Sequence, residues 1–216
     1  SNRLVAVDYN GLDSQSYAVA GLDGGGFVVV YTDQYQNSIY RQQLKYKRYD
    51  NSGNQLAGSA GNGWVKSSAG NYAMINVEGL SNGGFAVAYG WKQYSTHSLG
   101  YNGYLHFYDS NSNVVSTKSI GYRNHSMDMI ALESGGVGLF TNQGTSYYQR
   151  YSRESLSYKE YPNNNGTGSI TTQAVDNNNA GSYGIELDTH DALELTNGNI
   201  VLVYHKRASQ TTSTYE

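Results

Sequence analysis

Histidine, carboxylate and tyrosine side chains are the groups in this sequence with chemistry to offer, and their spacing says which kind. The five histidines, His97, His106, His125, His190 and His205, show neither an HExxH motif nor any paired spacing, so zinc hydrolysis has no local signature. Cysteine is absent, which removes thiolate metal sites and thiol nucleophiles. No Gly-x-Ser-x-Gly elbow occurs. The glycines at 24–26 run into an apolar stretch with no Lys-Ser/Thr pair behind them, so they do not read as a phosphate cradle. Tyr122, Arg123 and His125 are the trio that would abstract and return a proton in lyase chemistry, and polar loop residues are the plainer reading. Asp50-Asn51-Ser52-Gly53-Asn54 and Asp109-Ser110-Asn111-Ser112-Asn113 are oxygen-rich. Calcium takes six to eight oxygens, usually with several carboxylates, and each of these turns offers one. Asp50 and Asp109 are therefore weak calcium candidates, and Asp176 with Asn177 to Asn179 is a similar weak case. The expectation is solvated turns capped by Asx hydrogen bonds, with no cofactor.

The aromatic and amide residues form the more suggestive set. Sugars present apolar C–H faces bounded by hydroxyls, so a binder needs flat rings for the faces and Asn, Gln, Asp or Arg for the hydroxyls. Tyr and Trp also supply a rigid contact surface at low entropic cost. Four segments have this composition. They contribute Asp33, Tyr35 and Asn37; Trp91, Gln93, Tyr94 and His97; Asn142 and Tyr147; and His205 and Arg207. Each segment follows a long apolar run. These eleven residues are the candidate ligand-binding set, and no catalytic residue is assigned.

The elements that must position them follow from composition and repetition. The chain has 216 residues and a formal net charge of −3; 14% of residues are charged and 38% hydrophobic. Tyr counts 22, Gly 26 and Pro 1, and Asn is as common as Tyr. Collagen, coiled coil and disulfide scaffold are excluded by these totals. No apolar run approaches the length of a membrane-spanning helix, and no basic excess points to nucleic acid. The aromatic fraction of 13% supplies enough burial to argue against disorder. One domain over residues 1–216 is expected. The chain opens on Ser1-Asn2 without methionine, which reads as a processed or excised product.

One phrase recurs four times: Leu22-Asp23-Gly24-Gly25-Gly26-Phe27-Val28-Val29-Val30-Tyr31, Leu80-Ser81-Asn82-Gly83-Gly84-Phe85-Ala86-Val87-Ala88-Tyr89, Leu132-Glu133-Ser134-Gly135-Gly136-Val137-Gly138-Leu139-Phe140, and Leu195-Thr196-Asn197-Gly198-Asn199-Ile200-Val201-Leu202-Val203-Tyr204. The residue opening each apolar run falls at 27, 85, 137 and 200, in steps of 58, 52 and 63. A second landmark tracks the first. Tyr49-Asp50, Tyr108-Asp109 and Tyr161-Pro162 lie 22, 23 and 24 residues after the openings of the first three runs. Each unit reads as strands: a short first strand, a glycine turn, a long buried second strand, a third strand ending at the Tyr landmark, and a fourth after it. The third strands are expected over 39–49 and 103–108, the fourth over 56–66 and 114–120. Tyr31, Tyr89 and Tyr204 are expected to pack between units, and Trp64 to be a core residue at a unit's edge. The units span approximately 17–71, 72–126, 127–184, and 185–216 completed by 1–10.

Four antiparallel strands per unit of about 50 residues is the pattern of a β-propeller blade. The expected fold is all-β: a propeller of about four blades, or part of a larger one, closed by the N-terminal strand at 3–9. A β-sandwich is the alternative. The spaced phrase Leu-x-x-Gly-Gly-Phe-Val-Val-x-Tyr … Tyr-Asp-x-x-Gly resembles a propeller-type repeat of large secreted bacterial adhesins and biofilm-matrix proteins. The third unit departs from it at Val137-Gly138 and Tyr161-Pro162. The resemblance implies a secreted or cell-surface, lectin-like, non-enzymatic binding module. Its partner would be a glycan or a matrix or cell-surface component, or other domains of a larger protein, without membrane insertion. A structural interaction propeller is the second reading, and a polysaccharide lyase or glycosidase the third. The sequons at Asn124 and Asn165 read as coincidental in an Asn-rich chain of bacterial type.

Overall fold

The computed structural model describes residues 17–35, 38–92, 101–143, 155–177 and 190–204. Among these the chain is all-β and antiparallel, apart from one helical turn, α1 (Gly58–Gly61). The first four strands are β1 (Tyr17–Gly21), β2 (Phe27–Tyr35), β3 (Ser38–Tyr49) and β4 (Asn62–Gly79). They are followed by β5 (Phe85–Lys92), β6 (Tyr101–Tyr108) and β7 (Val114–Ala131), then β8 (Gly136–Gln143), β9 (Ser155–Pro162) and β10 (Thr171–Asn177). Strands β11 (His190–Glu194) and β12 (Ile200–Tyr204) form a separate hairpin, while β1 to β10 hydrogen-bond in sequence order. No described helix is long and apolar enough to cross a membrane.

The strands β4 and β7, 18 residues each, serve two units apiece. Residues 62–70 of β4 pair with β3 as a fourth strand, and residues 71–79 pair with β5 as the next unit's first strand. β7 divides in the same way between β6 and β8 around Asn124. The expected fourth strands therefore do not stop near 66 and 120. They run on through register shifts at Ala73/Asn76 and Asn124/Ser126.

Units stack through their faces. First strands are neighbours in space, β1 beside β4, β4 beside β7, and β7 beside β11. Period-two alternation then gives each second strand two apolar faces. In β5, Phe85, Val87 and Tyr89 join a core with Val28, Val30, Leu44 and Tyr46 of the preceding unit. Ala86 and Ala88 turn the other way, onto Met127, Met129, Val137 and Leu139 of the following one. A third core joins Phe140, Leu156 and Tyr158 to Ala192, Ile200, Leu202 and Tyr204. A strand covered on both sides must be apolar throughout, which is why the recurring run shows no polar alternation. Tyr89 and Tyr204 pack between units, whereas Tyr31, though buried, faces the first unit's open side with Lys45 and not a joint.

The two sequence landmarks travel together for a physical reason. The turn leucine closes the first landmark: Leu22 N–H donates to the Gly26 carbonyl at 3.1 Å and Gly25 N–H to the Leu22 carbonyl at 2.9 Å, and the same pair recurs at Leu80, Leu132 and Leu195. The glycine before each second strand then lies against the carbonyl of the landmark tyrosine, Gly26 on Tyr49, Gly84 on Tyr108 and Gly136 on Tyr161. A β-carbon at any of these three positions would sit far inside van der Waals contact of that oxygen. In the fourth unit Asn199 takes this place, and no third strand abuts it among the described residues.

Arg48 ties the first unit to the second. It is buried, and its Nη1 donates to the Ser110 carbonyl at 2.6 Å and to Ser112 Oγ at 3.0 Å, while Nη2 reaches the Gly83 carbonyl at 3.4 Å. Ser112 Oγ in turn donates to the Ala60 carbonyl at 2.9 Å. Arg48→Met keeps the stem and strands these acceptors, so urea denaturation is expected to show a loss of about 2–3 kcal/mol.

Candidate binding surface

The carboxylate turns are occupied by their own backbone. Asp50 Oδ1 accepts the N–H groups of Ser52 at 2.8 Å and Asn54 at 2.9 Å, and Oδ2 accepts Asn54 Nδ2 at 3.1 Å. Asp109 repeats the arrangement with Asn111 and Asn113 at 2.8–2.9 Å. These bonds hold the Asp50 carboxyl below its ordinary range. At Asp109 burial opposes the shift, and the same set of bonds with the nearby Arg48 charge outweighs it. Among the described residues no three His, Cys, Asp or Glu side chains gather as a metal site.

The eleven candidate ligand residues divide sharply. Asn37, Gln93, Tyr94, His97, Tyr147, His205 and Arg207 lie outside the described residues. Tyr35 closes β2 opposite Ser38. Asn142 is fully buried in β8, between Ser126 and Leu156. Trp91 is half-buried at the end of β5, opposite Tyr72 and Asn102. The Lys66 ammonium lies 5.5 Å from the Trp91 ring centre and 5.5 Å from that of Tyr104. Trp91 Nε1 is enclosed without a hydrogen-bond acceptor. Asp33 forms an ion pair with Lys45.

That ion pair leads to a site the sequence reading passed over. Lys45 Nζ sits 4.3 Å from the centre of the Trp64 ring, and Trp64 is 48% exposed. Trp64 is thus not a core residue. β3 alternates, so Lys45 and Lys47 point to the face opposite Leu44 and Tyr46, and β4 places Trp64 directly across from Lys45. The face is open because it belongs to the first unit and has no described unit before it. A cleft of about 350 Å³ results, lined by Tyr31, Lys45, Lys47, Gln55, Asn62 and Trp64, with Tyr46 and Gly63 at its floor. Gly63 is required there, since a β-carbon would strike the Tyr46 ring. Lys47 Nζ stands 5.8 Å from the Tyr31 ring centre. Burial first, then the Asp33 charge, raises the Tyr31 phenol to about 12, so at neutral pH its hydroxyl is neutral. The cleft combines aromatic rings, amides and cations, the functional groups a hydroxylated ligand needs, within the ordinary volume range of small-ligand pockets. The available signal was the Lys45-Tyr46-Lys47-Arg48-Tyr49 alternation facing a tryptophan.

A buried histidine and a half-buried glutamate stand apart from this cleft. His106 accepts or donates a hydrogen bond with the Tyr89 hydroxyl through Nε2 at 3.0 Å, and its Nδ1 has no partner. Burial, helped by the Lys66 charge, lowers its pKa to about 4. Glu78, on β4, is raised to about 7 by burial and by the nearby Asp128 of β7. No family model matches this chain, and neither a curated protein nor a solved structure matches it.

Proposed function

We propose that this chain is an extracellular binding module of propeller type, with about four blades, that recognises carbohydrate on matrix or cell surfaces. The observation that carries this reading is the Trp64 cleft. A half-exposed indole offers a flat apolar face, Gln55 and Asn62 offer amides for hydroxyls, and Lys45 and Lys47 add charged donors. The composition agrees, being rich in Tyr, Asn and Gly and poor in charge. Titration of the protein with a glycan array, followed by calorimetry on the hits, tests it. Trp64→Ala is expected to weaken binding at least tenfold (about 1.4 kcal/mol or more) with the far-ultraviolet spectrum unchanged. An array with no hits, or a Trp64→Ala variant that binds as well as the parent, removes the reading.

A second reading, a structural interaction module within a larger surface protein, draws on a different observation. The exposed large apolar side chains include Tyr17 and Val19 in the first unit and Leu193, Val201 and Val203 in the last. Exposed apolar side chains on the outer faces of the first and last units favour packing against neighbouring domains.

A further inference from the structure

The joints between units show what each end of the array is built to receive. Every unit meets its successor through one face and its predecessor through the other. Val77, 5% exposed, and Met129, 2% exposed, stand three residues before their turn leucines and pack on the preceding unit. Val19 holds the same position in the first unit and is 64% exposed. On the opposite face, Val28 and Val30, and Ala86 and Ala88, are fully buried against the following unit. Val201 and Val203 are their counterparts in the fourth unit, and Val203 is 68% exposed. Among the described residues the chain therefore displays one unpaired copy of each half of a joint that it forms three times internally. Stacked repeats bury such faces against a neighbouring repeat or cap them with polar residues, and here Val19, Val201 and Val203 stand exposed at the joint positions. Charge favours the match: Lys47 lies on the open face of the first unit, and exposed Asp191 on that of the last.

We propose that the two open faces mate head to tail between copies of this chain, the last unit of one seating the first unit of the next. Such a contact is heterologous, so it propagates into open chains or closes into rings. It goes beyond the carbohydrate reading and keeps it, but it replaces closure of the four blades on themselves with closure between copies. The second-unit counterpart of Trp64 is Ser119, which remains exposed although its unit's face is covered. A seated neighbour would leave the Trp64 rim open in the same way, while covering Lys47 and Tyr31, whose second-unit counterparts His106 and Tyr89 are buried.

Sedimentation velocity from micromolar to millimolar protein tests the proposal. The wild-type mass is expected to rise with concentration. Val19→Asp and Val203→Asp each spoil one face, so each alone should remain monomeric. An equal mixture of the two should form one-to-one dimers, because each variant keeps the half the other lacks. A wild type that stays monomeric throughout overturns the proposal and assigns these faces to the chain's own terminal segments or to another protein. A mixture that stays monomeric overturns head-to-tail mating in favour of a symmetric contact. Circular dichroism checks folding, and Tyr17→Lys with Leu193→Lys serves as a second pair should the aspartates unfold the protein. Glycan binding by the variants is expected to match that of wild type at concentrations where wild type is monomeric, so the two readings fail separately.

Discussion

Gly84→Ala is expected to destabilise the protein by about 3 kcal/mol, the upper part of the range for overpacking. The reason is not backbone conformation, since Gly84 does not adopt the left-handed region that Gly26 and Gly136 occupy. Its added methyl would instead press on the Tyr108 carbonyl oxygen and approach Asn82 Oδ1 at 3.0 Å. Neither can retreat cheaply. Tyr108 is buried, its ring stacked on Phe85 with centroids 4.4 Å apart, and Asn82 Oδ1 accepts the Gly84 N–H at 3.0 Å. Relief requires β5 and β6 to separate where the first two units pack. Gly21→Ala is the control. Gly21 has an ordinary φ and open space around the added methyl, so its substitution is expected to be neutral or slightly stabilising. Urea denaturation of both variants gives the comparison, and equal midpoints would refute the account of why the two landmarks repeat together.

Between about pH 4.5 and 6.5 the stability of the wild type is expected to be nearly flat, because buried His106 and half-buried Glu78 oppose one another. Glu78 has a folded pKa of about 7 against an ordinary 4.5. Its contribution is fully present below pH 4.5 and is lost as pH rises through 7. The folded state holds a proton there that the unfolded chain has released. His106 has a folded pKa of about 4 against an ordinary 6.5. Its contribution is fully present above pH 6.5 and is lost as pH falls through 4, because the unfolded chain takes up a proton that the folded state refuses. Each shift amounts to about 3 kcal/mol over its window, with opposite slopes. Glu78→Gln should therefore uncover stability that rises with pH across the window and exceed wild type by about 3 kcal/mol at pH 8. His106→Gln should uncover stability that falls with pH. Chemical denaturation at half-unit pH steps measures both slopes, and parallel profiles for the two variants would contradict the assignment.

Much of the strand pattern was legible because turn chemistry and strand period act locally. Leu-x-x-Gly-Gly and Tyr-Asp-x-x-Gly mark turns through hydrogen bonds within five residues, and the apolar runs declare strands covered on both faces. The continuity of β4 and β7 was hidden, because nothing in the residues near 70 or 121 distinguishes a break from a register shift. Trp64 escaped for a related reason. A large apolar residue in a repeat suggests core, but local sequence does not say that this position lies at the rim, where its counterpart Ser119 is exposed even on a covered face. Trp91 and Asp33 fall at equivalent strand ends, as the spacing implies, yet the Lys45 ammonium connecting Asp33 to Trp64 comes from a different strand. Glu78 gave no signal beyond being an acid in an apolar strand; its perturbation arises first from burial and then from the charge of Asp128, fifty residues away.

The shared strands also determine where this chain can gain or lose length. β4 and β7 are both 18 residues long, yet the stretch from Tyr49 to Asn62 is seven residues longer than that from Tyr108 to Val114. The extra residues lie before the strand, where α1 forms. One residue deleted inside β4 would turn every side chain beyond it to the opposite face, emptying one joint and crowding the next. An insertion before it changes neither. Recombination between copies of the repeat would accordingly succeed at the Asp-Asn turns and fail at the borders that the sequence periodicity suggests, because those borders fall in the middle of a strand.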